Sequence, residues 1–143
     1  NAQLDPNLLT LEITENLALD DATDTIKTLH HLKDIGVQLA LDDFGTGFSA
    51  LSYLRRFPVD IIKIDQTFVN GLGTDSEDTT IVEAVMAAAL AMRLTVTAEG
   101  IETTSQLDML RELGCHLGQG YLFSKPLTAD EMEERLRSGT TTW

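Results

Sequence analysis

A chain of 143 residues, 43% apolar and 6% aromatic, is long enough for one domain with its own core and has the composition of a globular protein. Its formal charge of −13 excludes broad contact with DNA or RNA, whose phosphates it would repel, and no apolar run reaches the roughly 18 residues of a membrane helix. A small phosphorylated ligand is compatible with that charge where divalent cations neutralise the site. Cys115 is the single cysteine, which excludes an internal disulfide and suits a reducing, cytoplasmic setting. A small buried residue is its simpler reading over a reactive thiol. The sequence opens on Asn1 without a signal-peptide pattern, and is expected to be a piece of a longer protein.

In chain order, segment 8–14 reads as a first strand. A helical pattern follows on Ala22, Ile26, Leu29 and Leu32 or Lys33, with Gly36 at the stop. A second strand covers 37–42, and a short helix over 49–56 ends before Pro58. Strand 61–65 comes next, then a helix with an apolar stripe of Ile81, Val85, Ala88, Ala89 and Met92, started by a Thr74–Glu77 capping box. Strand 95–99 precedes a helix opened by Thr103 and Gln106. A weaker fifth strand, 117–121, precedes one opened by Thr128 and Glu131. Strands alternating with helices predict parallel pairing through right-handed crossovers.

Strand parity then separates a barrel from an open sheet. One set of faces, Leu9/Leu11/Ile13, Val37/Leu39/Leu41, Ile62/Ile64 and Val96/Ala98, is uniformly apolar and calls for a helix layer. The opposite faces are mixed and end on Glu12, Asp42, Lys63, Glu99 and Gln119. Polar groups at the C-terminal ends of successive strands are the pattern of a parallel barrel, whose chemistry sits on that rim. An open doubly wound sheet is apolar on both faces. Asp43 follows where the chain leaves the second strand, so both aspartates can turn to one site. The glycines of Phe44-Gly-Thr-Gly-Phe48 suit a tight loop.

Converging carboxylates repel unless a cation or proton intervenes, which makes hard-metal binding the economical account. One carboxylate shared by two ions roughly 3.5–4 Å apart would form a phosphoryl-transfer site, with Lys63 orienting a water or offsetting phosphate charge. Each member also has a plain structural role open to it. Asp42-Asp43 suits a turn, Lys63 an ion pair, Glu99 an exposed loop and Gln119 a satisfied amide. The residues by themselves predict a divalent-metal hydrolase or lyase on a parallel barrel. His30 and His31 project about 100° apart on a helix and chelate poorly, so they read as surface residues, and His116 has no partner nearby in sequence.

The segments Leu11-Glu-Ile-Thr-Glu15, Leu41-Asp-Asp-Phe-Gly-Thr-Gly47, Ile62-Lys-Ile-Asp65, Thr97-Ala-Glu-Gly-Ile-Glu-Thr103 and Gly118-Gln-Gly-Tyr-Leu-Phe123 together resemble the EAL domain family. Their order and spacing match it across residues 5–136. The resemblance implies an α/β fold, a modified TIM barrel, and hydrolysis of one phosphodiester bond of cyclic di-GMP to linear pGpG with Mg²⁺ or Mn²⁺. It implies Glu12 and Asp42 as ligands of a first metal, with Asp42 bridging to a second that Asp43 also holds. It implies Lys63 as the contact of the catalytic water, Glu99 as general base or metal-water partner, and Gln119 as a support of the water and metal shell. Glu102 falls on a further active-site glutamate. Glu15 falls on the residue that restrains the following loop, and that loop (Phe44, Gly45, Thr46, Gly47 and Phe48) is linked to metal binding and dimer regulation.

The Glu-Ala-Leu signature and a downstream Asn ligand of the family are absent and are expected to precede residue 1. Residues 1–143 are thus expected to form the C-terminal part of one domain, about five of the strands of a partial barrel, whereas a whole TIM barrel takes about 250 residues. The intact parent is then a cyclic di-GMP phosphodiesterase, while this chain alone is expected to be inactive and to self-associate or form a homodimer through open strand edges. A cyclic di-GMP receptor or interaction module is the non-enzymatic alternative.

Overall fold

The computed structural model describes residues 4–14, 22–45, 54 and 56–139. The predicted 49–56 helix falls outside them except for Leu54, which is helical and buried, and Arg56. The chain forms strands β1 (Thr10–Thr14), β2 (Gln38–Phe44), β3 (Ile61–Ile64), β4 (Thr95–Ala98) and β5 (Leu117–Gly118). Its helices are α1 (Ala22–Ile35), α2 (Gln66–Gly71), α3 (Ser76–Met92), α4 (Thr104–Glu112) and α5 (Ala129–Ser138).

All strands are parallel and the sheet order is β1-β2-β3-β4-β5, the same as the chain order. Right-handed crossovers between sequentially ordered neighbours put every connection on one face, which curls a sheet toward a barrel. The apolar faces predicted from parity are buried: Leu39, Leu41, Ile62, Ile64, Val96 and Ala98 lie in one core with Val82, Val85, Met86 and Ala89 of α3 and Leu110 of α4. The architecture is therefore the predicted partial (β/α) barrel. Among the described residues β1 pairs only with β2 and β5 only with β4.

The local differences from the sequence reading have physical causes. Leu8, expected in the first strand, belongs to a 3₁₀ turn, Pro6–Leu8. Asp5 accepts from the Asn7 N–H and Pro6 presets the first turn, so the cap overrides the strand propensity of the leucines. The Thr74–Glu77 box does not form. Asp75 caps α3 through the Glu77 and Asp78 N–H groups, while Thr74 Oγ1 donates to the Gly71 carbonyl. Helix α2 was not foreseen, because six residues are too few to show a helical period. Its start is marked by Asp65, which accepts from Thr67 N at 2.8 Å. The boxes at Thr103/Gln106 and Thr128/Glu131 both form, and Gly36 ends α1 at φ +104°.

At the N-terminal end of the sheet Asp60 ties three elements together. Its carboxylate takes the Lys33 ammonium at 2.6 and 2.7 Å and the Leu39 N–H at 2.9 Å. Its main chain bridges to Leu39 and Thr95. This lock sits at the opposite pole from Glu99 and Gln119, and leaves the C-terminal rim free for chemistry.

Candidate active site

Period-2 alternation carries Glu12, Asp42 and Lys63 to the sheet face that is not covered by the helices. Glu99 and Gln119 follow directly after β4 and β5. Lys63 is the hub: its Nζ lies 2.8 Å from Glu12 Oε1, 2.8 Å from Asp42 Oδ1 and 2.7 Å from Glu99 Oε1. Gln119 Nε2 donates to the same Glu99 oxygen at 2.7 Å. Four strands and the end of the fifth thus bring all five residues to one place. The Lys63 residue is 7% exposed. Burial works against its charge, but the adjoining carboxylates of Asp42, Glu12 and Glu99 outweigh it and raise the ammonium above its ordinary range.

The second aspartate arrives by a device that the sequence reading placed differently. Strand β2 does not end at Asp42 but runs on to Phe44 through a bulge. Leu41 pairs with Ile62 and Phe44 with Ile64, so three steps on β2 match two on β3. Asp43 takes up the extra residue in the left-handed region at φ +54°, a conformation that aspartate tolerates better than most side chains. Without the bulge Asp42 and Asp43 would point to opposite faces. With it, Asp42, Asp43 and Glu99 each offer a carboxylate oxygen within 4.8 Å of one another.

That crowding shows in the acidities. Burial raises the Asp43 carboxyl, and the charges of Asp42 and Asp65 push it further. Burial also raises Glu99, more than the Lys63 hydrogen bond lowers it. Asp42 Oδ1 is fully buried, and although Lys63 lies beside it no donor is aligned with it for a hydrogen bond. A buried anionic oxygen with unused lone pairs, beside two more hard oxygen donors, fits a divalent cation such as Mg²⁺ or Mn²⁺. Glu12, expected among the ligands, turns its Oε1 to Lys63 and lies outside that trio.

The remaining candidates divide. Phe44, expected in the loop, is the last residue of β2 and sits in the core at 2% exposure, because the bulge carries the strand past the aspartates. Gly45 follows at φ +103°, where an added Cβ would meet the Phe68 ring at 3.0 Å. Glu15, Thr46, Gly47 and Phe48 lie outside the described residues. Glu102 lines an open cavity of about 700 Å³ together with Glu99, Gln119, Tyr121, Lys125 and Arg135. Sequence reasoning missed the two cations of this cavity. Their signal was two basic residues near the fifth strand of an acidic chain. Arg135 is anchored by its donation to the Phe123 carbonyl at 2.8 Å. His30 and His31 are exposed, and His116 Nδ1 accepts from Val96 N at 3.2 Å. Burial raises the Cys115 thiol, which stands against a reactive role.

Known proteins resemble this chain in sequence and fold. The family model described as EAL domain matches residues 1–126. Cyclic di-GMP phosphodiesterase NbdA of Pseudomonas aeruginosa is 46% identical over 130 residues, 91% of this chain and 17% of that protein. A solved MucR phosphodiesterase–c-di-GMP complex superposes with a TM-score of 0.85 at 43% identity, over 90% of this chain and 52% of the other. BlrP1 of Klebsiella pneumoniae, solved with manganese and cyclic di-GMP, gives a TM-score of 0.80 at 37% identity, over 86% of this chain and 31% of the other. The chain therefore spans about a sixth of the curated relative and about half of the solved MucR chain. The extent of the family match, joined to five parallel strands and their rim of acidic groups around one lysine, shows that this chain belongs to the EAL domain family.

Proposed function

We propose that this chain is the C-terminal part of a domain that hydrolyses cyclic di-GMP to linear pGpG with two divalent cations, Mg²⁺ or Mn²⁺. One observation carries the reading. Lys63 is clasped by Glu12, Asp42 and Glu99, and the oxygens of Asp42, Asp43 and Glu99 converge beside it. The relatives that carry the names cyclic di-GMP phosphodiesterase or were solved with cyclic di-GMP support the substrate, and the manganese complex supports the cation.

Asp42, Asp43 and Glu99 would hold the cations, with Glu12 adding charge from the adjoining strand. Bound cations supply Lewis acidity toward a phosphate oxygen. The chain's own groups do the rest. Lys63, kept charged by its carboxylates, orients an attacking water or offsets charge that develops on the phosphate. Glu99, held by Lys63 and Gln119 beside the cation site, is the carboxylate placed to take the water's proton. Gln119 fixes the Glu99 oxygen by its hydrogen bond. Water adds to phosphorus, one P–O bond to ribose breaks, and the ribose oxygen leaves with a proton. The second phosphodiester stays intact, which gives the linear dinucleotide.

The finer readings rest on this one. The chain alone is proposed to be a poor catalyst that associates with itself through β1 and β5, as unpaired edges do. A cytoplasmic setting fits the lone cysteine, and no helix among the described residues is long and apolar enough to cross a membrane. Incubation of the full-length protein with cyclic di-GMP and Mn²⁺, followed by chromatography of the products, tests the proposal. Linear pGpG that disappears when the cation is chelated is the expected result. Tight binding of uncleaved cyclic di-GMP under Mg²⁺ and Mn²⁺ would contradict it and favour a receptor.

A further inference from the structure

The segment 99–103 carries Glu99 and Glu102 on either side of two residues that have no freedom to move. Gly100 has φ +70°, and a Cβ there would lie 2.5 Å from Gln66 Cβ at the start of α2. Ile101 is 1% exposed; its N–H donates to the Gln119 carbonyl at 3.1 Å and its carbonyl accepts from Leu122 N at 2.9 Å. Glu99 N donates to the Ile64 carbonyl at 3.1 Å. These contacts fix the first half of the segment. In the second half, where Glu102 stands on the cavity wall, the N–H groups of Glu102 and Thr103 are both held by one side chain.

That side chain is Gln106 of α4, 8% exposed and one of two buried polar residues among the described residues. A capping box asks only that Gln106 accept from Thr103 N. Here Oε1 accepts from both Thr103 N and Glu102 N, each at 2.9 Å, and Nε2 donates to the Val69 carbonyl of α2 at 3.1 Å. The amide thus uses both oxygen lone pairs on the segment that carries Glu102 and spends its donor on the helix that Asp65 caps. Asp65 in turn faces Asp43. A buried amide with this set of partners positions two parts of the site relative to each other, beyond starting a helix.

We propose that Gln106 is a positioning residue of the active site. It sets the main chain at Glu102 and docks segment 99–103 on α2, so that Glu102 meets substrate at a fixed place relative to Glu99 and the aspartates. The proposal rests on the phosphodiesterase reading of this site.

The test uses the full-length protein with three variants, assayed for cyclic di-GMP turnover under saturating Mn²⁺ well below the melting temperature. Gln106→Met keeps the bulk and removes all three side-chain hydrogen bonds. A displaced group near the reacting atoms costs on the order of 10²-fold in kcat, and a loss of that size with little change in KM is the expected result. Thr103→Ala removes the cap hydroxyl that serves the same helix but leaves the amide's bonds, so it is expected to lower the melting temperature and spare kcat. If Gln106→Met does not fold, Gln106→Asn replaces it, since an amide one carbon shorter cannot reach Val69 and both N–H groups. Wild-type kcat in the Gln106 variant, or an equal kcat loss in Thr103→Ala, would overturn the proposal. Amide hydrogen exchange separates this inference from the substrate reading. If the wild-type protein does not cleave cyclic di-GMP, the substrate reading alone fails. Fast exchange at Glu102 and Thr103 in the Gln106 variant alone then upholds the positioning role, and unchanged protection refutes it.

Discussion

Lys63→Met is expected to abolish useful turnover and to destabilise the domain, the second effect depending on divalent cations. Among the described residues the ammonium is the one positive charge that contacts Glu12, Asp42 and Glu99, and it is nearly buried. Its removal leaves three carboxylates facing one another. Breaking a buried pair costs about 3–5 kcal/mol, and the half-exposed Glu12 argues for the low end, about 3 kcal/mol. Mn²⁺ on the Asp42, Asp43 and Glu99 oxygens would relieve part of that repulsion. Melting curves in chelator and in Mn²⁺ should therefore show a larger stabilisation by the cation in the variant than in the wild type. The loss in kcat should be at least the roughly 10²–10³-fold that follows removal of one charge-stabilising donor. A variant that melts like wild type in chelator would show that the lysine does not hold the cluster together.

Asp42→Asn is expected to have the other large effect. It preserves shape and removes the charge of the residue whose buried Oδ1 has no aligned donor. Two outcomes should appear together: a kcat loss of about 10²–10³-fold or more, and loss of thermal stabilisation by Mn²⁺. A cation at a hundred times its dissociation constant stabilises the folded state by about 2.7 kcal/mol, so its absence is readily read from melting. Because the substitution also removes one of the three carboxylates around Lys63, chelated protein should lose little stability. Near-normal turnover at saturating Mn²⁺ would remove Asp42 from the cation site.

Much of this site was legible in the sequence because strand alternation is strict. Once 37–42, 61–65 and 95–99 read as strands, their apolar residues had to share one face, and Asp42, Lys63 and Glu99 the other. Leu39, Ile62 and Val96 are fully buried as that requires, and Lys63 meets both carboxylates. The parts that were not legible depend on backbone departures or on contacts distant in sequence. The β2 bulge turns on a single left-handed φ at Asp43, which no periodicity reveals, and it moved Phe44 from the expected loop into the core. Helix α2 is a single capped turn and a half, shorter than its own pattern needs. Gln106 was recognised as half of a capping box, but its bond to Val69 spans 37 residues. Lys125, in the segment after β5, and Arg135, on α5, line the cavity with Glu99 and Glu102, which lie more than 20 residues away in the chain.

The proposed chemistry needs cations held by the carboxylates that surround Lys63, and anomalous diffraction from crystals of the full domain grown with Mn²⁺ tests this most directly. The expected map has a manganese peak coordinated by Asp42, with a second within the roughly 3.5–4 Å typical of two-metal sites and reached by Asp43. Clear density for the Asp42, Asp43 and Glu99 side chains with no anomalous peak in coordinating reach of any of them, at a Mn²⁺ concentration that supports turnover, would contradict the account.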